Sequence, residues 1–218
     1  MSKVPPKSKP TTANDSFAKP AAPAPFVIPY PVWLLVLAVL VVYARSFSLG
    51  FTELDDTIFV REFGEWNQDV TNIFRAFGRG LFDAGKDPYY RPLFSVAMIL
   101  NYQLSGDSAT GYHVVNILLH MGAVVLFYRL CLRLGIAQVQ SFVLGLVFAV
   151  HPVITQAVAW IPGRNDTLLA IFVLSFLLRS LRYSKEGHRP ADLVLSALFL
   201  LCAYFTKETA VFAAPAAL

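Results

Sequence analysis

Charge and cysteine are both scarce in this chain. Of its 218 residues only 15% are Asp, Glu, Lys or Arg, 56% are hydrophobic and the mean hydropathy is +0.56. A soluble domain carries about 25% charged residues, so this composition excludes an ordinary soluble fold and reads as an all-α, multispanning membrane protein. The two cysteines, Cys131 and Cys202, sit inside apolar runs, which excludes a disulfide framework and makes them small core residues. None of the glycine-rich phosphate motifs occurs, so no soluble nucleotide loop is expected. No internal repeat with a period of about 20–50 residues is visible, which argues against a solenoid. The formal charge is +4, yet the basic residues form no patch interleaved with aromatics, and a nucleic-acid partner is excluded.

What is present is a series of apolar runs with arginines between them. Residues 1–25 are rich in Pro, Ala, Lys and Ser and are expected to be a disordered tail. Apolar spans follow at about 26–45, 112–132, 139–161, 164–183 and 191–211. The run 92–104 is shorter than the about twenty residues a span needs and carries Asn101, so it reads as an interfacial helix within an extracytoplasmic loop of about 46–110. That choice places Arg129, Arg133, Arg179, Arg182, Lys185 and Arg189 on the same side as the lysines of the N-terminus, which is cytoplasmic by the positive-inside rule. Were 92–104 to span, both arginine clusters would face outward.

On this topology the unusual polar residues share the outer face: Asp55 and Asp56 after the first span, Tyr90 and Arg91 in the loop, and His113 and Asn116 opening the second span. Arg164 and Asp166 stand at the outer start of the fourth, and Lys207 and Glu208 near the outer end of the fifth. A carboxylate can take a proton from an acceptor hydroxyl while Arg or Lys receives a departing phosphate. The chemistry that suits such a set is attack on a lipid-linked phosphate donor, whose tail stays in the lipid bilayer. Each residue also has a plainer reading. The Asp pair can be a helix cap, and Arg91 with Tyr90 a head-group anchor. His113, Asn116 and His120, at helical spacing, can bond between helices; Arg164 with Asp166 can be a surface ion pair, and Lys207-Glu208 can terminate a helix. Two histidines near an Asp leave a divalent metal open, although no spacing matches a metal signature, and no metal ligand set or other cofactor is assigned. His151-Pro152 is expected to kink the third span. A transporter or non-catalytic scaffold is the rival reading, although no inverted repeat is visible.

The ordered runs FTELDD (51–56), YYRPL (89–93), GYHVVNILLH (111–120), FAVHPV (148–153), AWIPGRND (159–166) and Lys207-Glu208 resemble the N-terminal part of the TMTC family, the transmembrane and tetratricopeptide-repeat O-mannosyltransferases, with its bacterial relatives. The resemblance implies a GT-C-like helical bundle with a large first extracytoplasmic loop and juxtamembrane helices. It implies a membrane glycosyltransferase that moves a sugar from a polyprenyl-phosphate donor to a hydroxyl acceptor on a protein or glycan. It also implies Asp55 as catalytic base, Asp56 as its partner, and Arg164 as a contact to donor phosphate. Position 156 is Gln where relatives often carry an acid. Such enzymes have more than the five spans seen here, so the chain is expected to be a fragment, either truncated or completed by another chain, seated in a bacterial inner membrane or, in a eukaryote, the endoplasmic reticulum.

Overall fold

A computed structural model describes residues 26–53, 55–82 and 89–217, and the expected tail 1–25 lies outside them. All regular structure in it is helical. Helix α1 (Pro31–Tyr43) begins at a proline whose fixed φ suits the first helical position, and a 3₁₀ turn, Ala44–Ser48, extends it to an 18-residue apolar rod. Its Leu35, Val39 and Tyr43 recur every fourth residue and are buried, whereas Leu37 and Val41 on the other faces are exposed. A helix apolar all round with one inward stripe is what a lipid-facing span requires.

The chain then folds into three short helices, α2 (Asp55–Thr57), α3 (Gly64–Gln68) and α4 (Asn72–Arg75), with a π-helical turn at Ile58–Glu62. They cover α5 (Pro92–Ser105) through a cluster of Phe59, Val60, Leu81, Phe94 and Met98. Amide side chains tie this cap together: Asn67 Nδ2 donates to the Phe59 carbonyl at 2.7 Å, and Gln103 Nε2 to the Asn67 carbonyl at 2.7 Å. At 1.5 Å per residue α5 is about 21 Å long, short of the about 30 Å hydrocarbon layer.

Helix α6 (Ala109–Arg133) is the centre of the bundle and touches α1, α5, α7 (Gln138–Val150), α8 (Thr155–Ala159) and α9 (Arg164–Lys185). Tyr128, Val124 and Ile117 meet α1 and α7 on one side, and Ala123 and Leu130 meet Leu174 of α9 on the other. Between lipid tails and leucine there is little hydrophobic drive, so close contact holds such helices together. Gly145 permits it: a Cβ there would lie 3.2 Å from Leu35 Cδ1. His120 Nε2 sits 3.1 Å from the Ala149 carbonyl, which can only accept, so that nitrogen carries the proton.

The third span is broken. Pro152 has no N–H to continue α7, the His151 side chain accepts from the Val153 amide at 3.2 Å, and α8 leaves at 47°. Helix α10 (Pro190–Tyr204) ends well before residue 211; Glu208–Ala217 is 3₁₀, and the Phe205 carbonyl accepts from the Leu93 amide at 3.0 Å. Among the described residues three helices are long and apolar enough to cross a membrane, or four with the bent pair. This is an integral, multispanning helical bundle.

Candidate active site

A cavity of about 620 Å³ lies where the cap, the α7–α8 break, the start of α9 and the end of α10 meet. Asp55 lines it, half-buried, with Tyr89 and Arg91 from the segment before α5, Gln156, Ala157 and Trp160 from the α8 region, Asn165 and Asp166 from α9, and Lys207 after α10. Phe59, Phe82 and Phe94 supply an apolar wall. Residues more than 150 positions apart in the chain therefore share one concave surface.

The two aspartates of the first loop are divided by the helical turn they start. Asp56 is buried, and its Oδ2 accepts from the Thr52 amide and hydroxyl, both at 2.9 Å. It therefore holds the loop to the turn of α2, while Asp55, one residue earlier, is presented to the cavity. Each cation at the cavity is matched by a carboxylate. Arg91 Nε and Nη2 grip Glu208 in a fork at 2.8–3.2 Å, and the guanidinium lies 4.9 Å from the Tyr89 ring centre. Lys207 Nζ donates to Asp166 Oδ1. Burial pushes the Glu208 carboxyl upward, but the bonds from Arg91 and the nearby positive charges outweigh it and hold its pKa below the ordinary 4.5. Two buried polar atoms on cavity-lining residues, Trp160 Nε1 and Asn165 Oδ1, have no partner among the described residues.

Five of the residues expected to bind donor, Tyr90, His113, Asn116, Arg164 and Glu208, do not line this cavity. Arg164 is fully buried beneath the cavity floor, not on it. Its Nε donates to Asn116 Oδ1 at 2.9 Å and its Nη2 to Asn101 Oδ1 at 2.8 Å and to the Tyr112 carbonyl at 3.2 Å, with Nη1 3.4 Å from the Ala97 carbonyl. Asn116 in turn donates to the carbonyls of Val158, Trp160 and Ile161 at 3.0–3.3 Å. One guanidinium with no carboxylate partner among the described residues thus joins α5, α6 and the start of α9, because neutral acceptors surround it on every side. His113 is buried beside the Leu49 and Gly50 backbone, with no ring nitrogen in hydrogen-bond geometry to any described residue, and Tyr90 donates to the Phe77 carbonyl at 2.9 Å outside the cavity. Its neighbour Tyr89 holds the lining position. Asn101 was read in the sequence only as a break in an apolar run, and Asn165, although it lies inside the AWIPGRND run, was given no role there. Among the described residues no group of three or more His, Cys, Asp or Glu could hold a metal ion.

The fold and this cavity define the class, a polytopic helical membrane protein with two acids and two cations from distant segments at one site. Residues 86–218 match the family model described as dolichyl-phosphate-mannose-protein mannosyltransferase, and the chain belongs to that family. It is 37% identical over 140 residues to protein O-mannosyl-transferase tmtc2 of Xenopus laevis, covering 64% of this chain and 16% of that protein. To protein O-mannosyl-transferase Tmtc1 of Drosophila melanogaster it is 32% identical over 180 residues, 78% of this chain and 20% of that one. To TMTC4 of Homo sapiens it is 36% identical over 201 residues, again 78% of this chain, and 26% of the relative. The chain thus spans about a fifth of the length of the curated relatives it matches. No solved structure matches.

Proposed function

We propose that the cavity holds the head group of a polyprenyl-phosphate-linked sugar, mannose being the sugar that the family description names, and that the chain provides the base and phosphate contacts for its transfer to a hydroxyl acceptor on the extracytoplasmic face, within a GT-C-like bundle. The observation that carries this reading is the shared cavity of Asp55, Arg91 and Lys207, brought from three separate segments. The acceptor oxygen attacks the anomeric carbon, its proton passes to the Asp55 carboxylate, and the bond to the phosphate oxygen breaks. The departing polyprenyl phosphate carries the negative charge to Arg91 and Lys207. Both cations already have carboxylate partners, so the phosphate would add to these pairs at the Nη1 edge of Arg91, which has no hydrogen bond among the described residues, or compete with Asp166 for Lys207. The phenylalanine wall suits the first isoprene units, and the unpaired Trp160 and Asn165 atoms suit sugar hydroxyls.

Removing the base tests this directly. Asp55→Asn in the enzyme is expected to lower transfer from a polyprenyl-phosphate mannose by about 10²–10⁴-fold with little change in donor affinity. Asp56→Asn, which loosens the loop, should lower stability as well as activity. Undiminished transfer by Asp55→Asn would remove Asp55 from the mechanism.

A further inference from the structure

A second cavity, of about 450 Å³, opens at the far end of the bundle, between α6, α9 and α10. It is lined by four arginines, Arg129 and Arg133 from the last turns of α6 and Arg179 and Arg182 from the last turns of α9. The spacings of four and three residues put each pair on one helix face. Arg182 and Asp166 are sixteen residues apart on one helix, so this cavity lies about 24 Å from the site described above.

The arginines exceed the acids that could neutralise them. Glu186 pairs with Arg133 and, at 3.3 Å, with Arg182, while Asp192 pairs with Arg179 at 2.9 Å and Arg182 at 3.4 Å. Arg129 is exposed and has no carboxylate among the described residues. Four guanidinium groups share two carboxylates. The remaining walls, Leu126, Leu178 and Phe199, are apolar. Guanidinium forks fit phosphate, and a greasy wall beside them has nothing to offer a soluble anion but would hold the upper acyl chain of a lipid.

We propose that this cavity is a binding site for an anionic phospholipid, with its phosphate against Arg129 and Arg133 and its acyl chains along Leu126, Leu178 and Phe199. The site is independent of the transfer reaction. It ties the ends of α6 and α9 to one lipid leaflet, the leaflet richer in anionic lipid if the arginine-bearing end is cytoplasmic.

The purified chain in phosphatidylcholine nanodiscs doped with phosphatidylglycerol provides the test, with retained lipid counted by native mass spectrometry. Wild type should retain phosphatidylglycerol preferentially, and each of Arg129→Gln and Arg133→Gln should reduce retention about fivefold. Lys185→Gln, which removes a charge at the same end but outside the cavity, should leave it within about twofold. Arg129→Gln breaks no ion pair, so it remains informative if the Arg133 variant misfolds. Absence of any preference for phosphatidylglycerol, an equal loss in Lys185→Gln, or displacement of the lipid by inorganic phosphate would each overturn the proposal; the last would assign the cavity to a soluble anion.

Discussion

Arg164→Lys keeps the charge but cannot reproduce the fork that reaches Asn116, Asn101 and the Tyr112 carbonyl at once. Buried bonds to a charged group contribute about 1.5–3 kcal/mol each, and unpaired acceptors add to the loss, so the variant should lose about 3 kcal/mol of stability. A thermal-unfolding measurement in detergent would register this, whereas a purely phosphate-binding role would leave the melting point unmoved. Glu208 behaves in the opposite sense to a buried neutral acid. Its folded pKa lies below 4.5, so its contribution is complete above the unfolded value and is lost as pH falls through the depressed one. Thermal stability should therefore fall more steeply below about pH 4.5 in wild type than in Glu208→Gln. Because the carboxylate is 43% exposed, the difference should be small and reduced by salt.

At the scale of elements, the break between α7 and α8 shapes the cavity. Pro152 ends one helix and the 47° turn carries Gln156, Ala157 and Trp160 onto the cavity wall. Gly163 closes the same turn, where a Cβ would lie 2.3 Å from the Gln156 carbonyl oxygen and 2.9 Å from that of Trp160. Backbone atoms cannot swing aside as a side chain can. Gly163→Ala should thus displace α8, lower stability by about 1–3 kcal/mol and weaken donor binding at the same time. Photo-crosslinking by a polyprenyl-phosphate probe at Trp160 would report the second effect independently of turnover. The proline kink was legible in the sequence because proline acts locally. The spatial demand on Gly163 was not, because its φ of −57° is ordinary and the crowding comes from residues folded back over it.

Across the whole molecule, the arginine-bearing ends of α6 and α9 lie together, away from the Asp55 cavity. If the two ends face opposite sides of the membrane, Asp107→Cys will react with an impermeant maleimide from outside, and Lys185→Cys only after permeabilisation. Both residues are exposed, which Arg164 is not, so they report side rather than burial. Reaction of both from one side would refute the topology.

Residue chemistry alone determined that the chain is a helical membrane protein, which segments carry the polar residues and where proline breaks a helix; these follow from local hydrophobicity, charge and proline geometry, each readable along the sequence. The family resemblance rested instead on the ordered motif runs. Only the tertiary structure decided which polar residues face the cavity. Asp55 and Asp56 are neighbours in sequence and differ by one helical step of about 100°, enough to put one at the wall and the other under Thr52. Arg164 had the chemistry to bind phosphate, but Asn101 and Asn116 lie in other helices, and their convergence on its guanidinium makes it a brace beneath the site.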